Sequence, residues 1–263
     1  MAITAAEAEF LGRVRPIEEA TLSGWPSLAL VVDGAWFIRS SLGQTGRANS
    51  VTILDPRDDT DCVRRMAAAE DVYHRREQSP LYRITPLTPP AVAAACDQRG
   101  FETFNQTAVL VCDDLKFAAE AGDNNTPDSV VNDAWLDAVA RYSGFSDARR
   151  DALAVKLRQL AVPAGFFSLL ADNQIAATVL AVVQGDQIGI LDLAVAPRLR
   201  RQGFARTAMV QAVGWGVRLG GRQVWLQVVV GNKAAEGLYA DLGFSQLYTY
   251  HYRRPSQHAG EVE

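Results

Sequence analysis

The chain has 263 residues, of which 48% are hydrophobic and 21% charged. This length suits one large domain or two compact ones, and the composition is that of a globular protein able to build a core. The formal net charge of −4 argues against nucleic acid as a partner, because phosphate binding needs a net basic surface. No apolar run approaches the roughly 18 residues that span a bilayer, and the N-terminus lacks the pattern of a secretory signal. We therefore expect a soluble, cytoplasmic protein with no membrane partner.

The cysteines and histidines predict no metal site. Cys62, Cys96 and Cys112 lie at spacings that match neither a zinc site nor a disulfide framework, and we interpret them as buried, reduced thiols. The three histidines have no partner at metal-ligand spacing.

A polar, turn-rich stretch at 123–128 separates two regions of apolar periodicity and is typical of a linker. We expect a first domain at 1–121, a second at 128–254 and a flexible tail at 255–263. In the first domain the pattern predicts a hairpin around Asp33-Gly34, and then a strand at 50–54, a helix at 61–77, a strand at 81–85, a helix at 89–98 and a strand at 107–112.

The second domain begins with two predicted helices, at 131–142 and 148–160. Three strands follow at 165–171, 174–184 and 188–196, and then a helix at 206–219, a strand at 223–230, a helix at 234–242 and a strand at 244–253. This order predicts a mixed α/β sheet with helices on its faces. The last six of these elements are echoed by the first domain from Ala35 onward, which predicts an internal structural repeat.

The most informative segment runs from Asp192 to Arg206, where a strand ends, a basic loop follows and a helix begins. Four arginines lie in its last nine residues, although the chain as a whole is acidic. A helix N-terminus leaves backbone N–H groups unpaired and attracts phosphate, and Gly203 lets an anion approach the backbone. The segment contains neither GxxxxGK[ST] nor GxGxxG, so a nucleoside-triphosphate P-loop and a dinucleotide site are disfavoured.

Two motifs carry a resemblance to the GNAT superfamily of N-acetyltransferases. Arg200-x-x-Gly203-x-Ala205 resembles its R/Q-x-x-G-x-G/A loop, and the segment from Asn232 to Phe244 resembles its N-x-x-A-x-x-L-Y-x-x-x-G-F signature. The resemblance covers roughly 130–253 and implies the GNAT acyl-CoA acyltransferase fold. The whole chain is similar to a bacterial subgroup in which a truncated, degenerate GNAT-like half precedes the catalytic domain. That first half lacks the loop, so we expect it to wall the acceptor cleft and to bind no second acetyl-CoA.

The resemblance assigns roles to single residues of the second domain. The pyrophosphate of acetyl-CoA would be held by the loop and the start of the helix, namely Arg200, Arg201, Gln202, Gly203, Phe204, Ala205 and Arg206. The pantetheine arm would pair with Leu193, Ala194 and Val195, and Asn232 would form a hydrogen bond with it. Tyr239 would protonate the departing thiolate, and the Val195 N–H would polarise the thioester carbonyl.

Several of these assignments have simpler alternatives. Asp192 is our candidate base, although an acidic residue at a strand edge is common without any role. Tyr239 could instead be a core aromatic, and Asn232 could cap a helix, a role compatible with ligand contact. Arg47 and Asn49 are candidates for contacting the acceptor, although asparagine and glycine also simply form turns.

The predicted reaction is direct transfer of an acetyl group from acetyl-CoA to a primary amine of a small molecule or peptide. The second domain contains no cysteine, which disfavours an acetyl-cysteine intermediate. Two alternatives stay open: a non-catalytic acyl-CoA sensor, and an acyltransferase that uses a longer acyl group. The sequence also leaves open whether the chain forms a homodimer.

Overall fold

The computed structural model of the chain describes residues 4–42, 45–122 and 126–256. Its helices are α1 (Ala5–Gly24), α2 (Cys62–His74), α3 (Pro90–Gln98), α4 (Asp133–Ser143), α5 (Asp147–Leu157), α6 (Phe204–Arg218) and α7 (Lys233–Asp241). Its strands are β1 (Ala29–Asp33), β2 (Trp36–Ser40), β3 (Val51–Ile53), β4 (Tyr82–Ile84), β5 (Glu102–Cys112), β6 (Ala164–Ala171), β7 (Gln174–Gln184), β8 (Gln187–Val195), β9 (Gln223–Val229) and β10 (Ser245–Arg254). The predicted mixed α/β fold is confirmed, and the elements follow the predicted order from the first hairpin onward.

Helix α1 is the largest element that the apolar pattern does not predict. Pro16 lies inside it, which argues against a helix in a sequence-based analysis. Its start nevertheless carries a recognisable signal, a capping box in which two residues satisfy each other's backbone N–H groups. The Glu7 N–H donates to Thr4 Oγ1 at 3.2 Å, and the Thr4 N–H donates to Glu7 Oε2 at 3.1 Å.

The chain divides into two compact units. Unit 1 consists of residues 1–19, 27–108 and 248–263, and its strand order is β1-β2-β3-β4-β10-β5. Strands β3 and β4 run parallel, while β1–β2, β2–β3 and β4–β10 are antiparallel. One face of this sheet packs against an apolar cluster that includes Trp36, Val51, Met66 and Tyr82.

Unit 2 consists of residues 20–26 and 109–247, with the strand order β5-β9-β8-β7-β6. Strands β6, β7 and β8 form an antiparallel meander, and β9 runs parallel to β8. Helices cover both faces of this sheet. Phe166 and Phe167 are neighbours in β6, so their side chains point to opposite faces. Phe166 contacts Trp135 of α4, and Phe167 contacts Trp215 of α6.

Each unit is completed by a strand from the other half of the sequence. Most of β10 lies in unit 1, where His251 pairs with Ile84 of β4, although β10 ends the predicted second domain. The Val109–Cys112 part of β5 lies in unit 2, in the strand position next to β9. The units therefore differ from the predicted division at 122–127. Local patterns favour pairing between consecutive elements, and they carry no information about such an exchange.

The predicted linker and tail lie partly outside the described residues, at 123–125 and 257–263, while Ser256 Oγ donates to the Gly100 carbonyl at 2.6 Å. All three cysteines are buried and free, as predicted. Within 4–42, 45–122 and 126–256, no helix is long and apolar enough to cross a bilayer, and no cluster of His, Cys, Asp or Glu could hold a metal.

Candidate active site

The sheet of unit 2 opens between β8 and β9. The two strands pair in parallel from Gln187 and Gln223 as far as Ile190 and Leu226, where the pairing ends. Strand β8 continues to Val195, and β9 continues to Val229. Because the strands are parallel, their carboxyl ends meet at the same edge of the sheet, which is where ligands of α/β sheets commonly bind. The unpaired end of β8 contains residues 193–195, the stretch expected to pair with the pantetheine arm.

A β-bulge lies in β8 beside this opening. Thr178 of β7 pairs with Ala194 and Leu180 pairs with Leu191, so Val179 faces two residues, Asp192 and Leu193. Asp192 adopts a φ of +47°, which an L-residue in a strand rarely does. Its side chain is half-buried. Bulges re-aim side chains and backbone groups, and this one lies on the strand that carries the predicted base.

The end of β8 turns one backbone amide toward the opening. The Ala196 N–H donates to the Ala176 carbonyl on β7 at 2.8 Å. In an antiparallel ladder the adjacent pair, Val195 with Ala177, is then the one whose N–H groups point away from the partner strand. The Val195 N–H therefore points to the side that β9 has left. This is the orientation that polarising a carbonyl in the opening requires.

The loop between β8 and α6 brings unpaired amides together. Arg201 and Gly203 both have positive φ, at +62° and +86°, and Gly203 is the N-cap of α6. In the part of the chain that the structure describes, no acceptor faces the backbone N–H groups from Arg201 to Arg206. A Cβ built on Gly203 would meet nothing within 4 Å, so the space in front of the helix is open. The arrangement suits an anion.

The arginines of this loop contribute unequally to its charge. Arg206 forms a bidentate ion pair with Glu120, with Nη1–Oε2 and Nη2–Oε1 distances of 2.6 and 2.8 Å. Hydrogen bonding to Arg206 lowers the pKa of Glu120, and the partner raises the pKa of Arg206. The Arg206 side chain is thus largely neutralised, which the sequence does not predict. Arg198 donates to the neutral Gln174 Oε1 at 2.9 Å, and the Arg200 and Arg201 side chains have no partner among the described residues.

Asn232 occupies the turn between β9 and α7, at the same edge of the sheet. Its Oδ1 accepts from the Ala235 N–H at 3.4 Å and caps α7, and the Gly231 N–H donates to Glu236 Oε1 at 3.1 Å. The side chain is exposed, and its Nδ2 group makes no hydrogen bond to a described residue. The cap uses the oxygen only, so the nitrogen stays available as a donor.

Tyr239 lies on α7 with its ring packed against Phe244, at a centroid distance of 5.8 Å. The residue is 8% exposed, and its hydroxyl has no hydrogen-bond partner in the described parts of the chain. Burial raises the pKa of Tyr239 to about 12. The phenol therefore stays protonated at neutral pH, as a hydrogen-bond donor to a departing thiolate must.

The end of α1 is a part of this unit that sequence reasoning misses. Gln227, the first residue of β9 beyond the paired region, donates through Nε2 to Thr21 Oγ1 at 3.0 Å. A Cβ on Gly24 would lie 3.8 Å from Leu191 Cδ1, so α1 also approaches β8. No sequence signal connects Thr21 to Gln227, because the two are 206 residues apart.

The two acceptor candidates of the first half, Arg47 and Asn49, lie in unit 1 in and beside a 3-10 turn, Gly46–Ala48. The Arg47 carbonyl accepts from Arg39 Nη1 at 2.6 Å. Asn49 Oδ1 accepts from the Ser41 N–H at 2.6 Å, and its Nδ2 donates to the Thr45 carbonyl at 2.7 Å. Both ends of the Asn49 amide thus hold its own loop together, which is the structural alternative considered for this residue.

A family model described as "Probable histone acetyltransferase Rv0428c C-terminal" matches residues 12–253. The chain belongs to this family. The match runs across both halves of the sequence, and the predicted membership of the GNAT superfamily is confirmed.

Relatives and solved structures agree with this assignment. An uncharacterized N-acetyltransferase, YobR, from Bacillus subtilis (strain 168) is 24% identical over 248 residues, covering 91% of this chain and 98% of its own. A GCN5-related N-acetyltransferase from Kribbella flavida aligns over 100% of both chains, with a TM-score of 0.64 and 14% identity. A tandem GNAT protein from the clavulanic acid biosynthesis pathway aligns over 81% of this chain and 74% of its own, with a TM-score of 0.62 and 14% identity. The protein is an acetyltransferase of the GNAT type.

Proposed function

We propose that unit 2 transfers an acetyl group from acetyl-CoA to a primary amine by direct attack. The observation that carries the proposal is the opening between β8 and β9 next to the uncapped start of α6. An extended thioester arm needs a strand edge with free backbone groups, and its pyrophosphate needs donors without a protein partner. The free strand edge and the unpaired donors of the α6 start lie at the same edge of the sheet, where the pairing of β8 with β9 ends and β8 leads into α6.

Residues of this unit have the properties that each step requires. In the proposed reaction the amine nitrogen bonds to the thioester carbon, the carbon–sulfur bond breaks, and the amine loses one proton. The Val195 N–H would donate to the carbonyl oxygen, where negative charge develops. Asp192 would accept the amine proton through water, and Tyr239 would donate to the sulfur as the thiolate forms. An ordinary thiol has a pKa of about 8.5, so a phenol near 12 stabilises the thiolate mainly as a hydrogen-bond donor.

The test is release of the CoA thiol with a panel of amines, for wild type and for Tyr239→Phe. We expect turnover with at least one primary amine, and a kcat lower by about 10²-fold in the variant, as loss of an acid typically gives. The KM for acetyl-CoA should stay within a few-fold, because the ring remains in place. Phe244→Leu, which changes the packing around the ring and keeps the hydroxyl, is the control for a purely structural effect.

The two rival functions have distinct outcomes in the same assay. Tight binding of acetyl-CoA without turnover on any amine would contradict the proposal and favour a sensor. Turnover that is faster with a longer acyl-CoA than with acetyl-CoA would favour the broader acyltransferase and contradict the acetyl assignment.

A further inference from the structure

The first strand of unit 1 has an open, apolar edge. Strand β1 pairs with β2 on one side and stands at the end of the strand order. Leu30, Val31 and Val32 are 53%, 45% and 55% exposed. Successive side chains of a strand point to opposite faces, so β1 exposes apolar side chains on both. An exposed apolar edge of this kind pairs readily with another strand.

The backbone of β1 has free hydrogen-bonding groups along this edge. The Arg39 N–H donates to the Ser50 carbonyl at 3.3 Å, so the backbone of Arg39 bonds on the side of β3. Leu30 lies opposite Arg39, and Val32 lies opposite Phe37, two residues earlier in β2. Both are therefore pairs that exchange no hydrogen bonds between β1 and β2. The N–H and carbonyl groups of Leu30 and Val32 point outward, and no described residue bonds to them.

The edge strand of unit 2 has the protection that β1 lacks. Phe166 of β6 exchanges two backbone hydrogen bonds with Asp128, at 2.8 and 3.2 Å, and these cover part of its outer side. A bulge between Leu169 and Leu170 disturbs the rest of that edge. Strand β1 pairs in unbroken register over Ala29–Asp33 and contains neither proline nor lysine. Bulges, covering segments, proline and lysine are the devices that keep sheet edges from pairing, so β1 is built to receive a partner strand.

We propose that two copies of the chain pair through β1, antiparallel about a two-fold axis at Val31. In this register Leu30 of each copy lies opposite Val32 of the other copy. Their outward N–H and carbonyl groups then form four hydrogen bonds. The strand is five residues long, and a register centred on its middle residue pairs all of it. This interface lies in unit 1 and does not depend on the proposed acetyl transfer.

The side chains of β1 are complementary to those of a second copy. Leu30 and the other copy's Val32 point to one face and form aliphatic cross-strand pairs, while the two Val31 side chains meet on the other face. Asp33 falls opposite the other copy's Ala29, so no like charges face each other. This self-complementarity favours a second copy over a strand of another protein. The axis uses both edges, so the assembly closes at a dimer.

Sedimentation velocity of the full chain over a range of concentrations tests the dimer. We expect wild type to shift from monomer to dimer as its concentration rises. Val31→Lys and Val31→Glu each place two like charges at the axis and remove apolar contact, and each should raise the dissociation constant about tenfold or more. An equimolar mixture of these two variants should recover dimers, because opposite charges then meet. Val155→Lys on α5, where the valine is 39% exposed, should dimerise like wild type.

A cysteine at the axis gives a second readout. Val31 meets its own copy in a pair without hydrogen bonds, with Cα atoms about 4.5 Å apart, which is within the range of a disulfide. Val31→Cys should therefore form a covalent dimer on mild oxidation, and Val155→Cys should not. The three native cysteines are buried and do not interfere.

Three results would overturn the proposal. Wild type that stays monomeric up to its solubility limit would leave the edge to a strand of another protein. Dimers of Val31→Lys as tight as those of wild type would place the interface elsewhere. A mixture of the lysine and glutamate variants that stays monomeric would show that the two copies do not meet at Val31.

Discussion

Asp192 shows how a single residue carries strain at the candidate site. A φ of +47° costs a non-glycine residue about 1–2 kcal/mol, and the bulge holds Asp192 there between two well-paired stretches of β8. Strained backbone that persists at the edge of a ligand opening commonly has a role in function. The residue therefore remains our candidate base, and its conformation could not be inferred from an aspartate in an apolar strand.

Asn232 has two functions that substitutions can separate. Asn232→Asp keeps an oxygen that caps α7 and removes the Nδ2 donor, whereas Asn232→Ala removes both. We expect Asn232→Asp to unfold like wild type and to have a raised KM for acetyl-CoA. Asn232→Ala should raise the KM similarly and also lose about 1 kcal/mol of stability. Urea denaturation and steady-state kinetics measure the two effects, and an unchanged KM in both variants would contradict the contact with acetyl-CoA.

His251 of β10 gives unit 1 a pH dependence of known sign. Burial lowers the pKa of His251 below its ordinary 6.5, and Arg253 adds to the shift. Between the folded pKa and 6.5 the unfolded chain binds more protons than the folded chain. The free energy of unfolding should therefore fall as the pH drops through this window, and the loss should be complete below the folded pKa.

The measurement is urea denaturation of wild type and His251→Gln at several pH values between 5 and 8. The variant should show a flatter pH dependence. His74→Gln, at the exposed end of α2, controls for removal of an imidazole. Parallel pH profiles for wild type and His251→Gln would show that His251 does not cause the dependence.

At the scale of elements, helix α6 has a positive-φ glycine at each end. Gly203 precedes its first turn and Gly220 follows its last, with φ of +86° and +96°, and a Cβ on either residue meets nothing within 4 Å. A substitution at either position therefore strains the backbone by a similar amount, about 1–2 kcal/mol. The two positions differ in what lies in front of them, an uncapped helix N-terminus at Gly203 and a C-terminus at Gly220.

Substitutions at these two glycines therefore distinguish an effect on stability from an effect on acetyl-CoA binding. We expect Gly203→Glu to weaken acetyl-CoA binding by tenfold or more, about 1.4 kcal/mol, because the new carboxylate occupies and repels the place of the pyrophosphate. Gly220→Glu should cost similar stability and leave the affinity within a few-fold. Isothermal titration with acetyl-CoA measures both variants. Equal affinities of Gly203→Glu and wild type would mean that the start of α6 does not hold the pyrophosphate.

At the scale of the whole molecule, the exchange of strands makes a prediction about fragments. Residues 128–254 alone lack Ala20–Pro26 and the Val109–Cys112 part of β5, which belong to unit 2. They also lack Ala118 and Ala121, which pack so closely on α6 that a Cβ on Gly214 would lie 2.5 Å from Ala121 Cβ. We expect this fragment to show no cooperative unfolding transition, measured by circular dichroism in urea.

The matched control is the chain cut between 122 and 127, with both pieces produced together. Because every strand of both units is then present, the pair should purify as one complex with a cooperative transition. A fragment 128–254 that folds cooperatively on its own would show that the predicted sequence domain is independent of the exchanged strand.

The sequence predicts much of the local structure and little of the long-range chemistry. The Asp172-Asn173 hairpin is recognisable because both residues tolerate the positive φ that the structure shows. The loop at Arg200–Ala205 and the segment after Asn232 are likewise contiguous motifs. The neutralisation of Arg206 by Glu120, 86 residues away, has no such local signature.

Local patterns predict the order of strands and helices after α1, including the helix that carries Tyr239, because periodicity and capping act within a few residues. The loop at Arg200–Ala205 is recognisable as a contiguous motif that resembles the GNAT loop. Long-range folding sets the strand positions of β5 and β10 and brings Thr21 to Gln227. It also buries Arg83 and leaves Nε and Nη2 of its guanidinium without a hydrogen-bond partner among the described residues. Strand edges and guanidinium groups find partners by proximity in space, which distance along the chain does not encode.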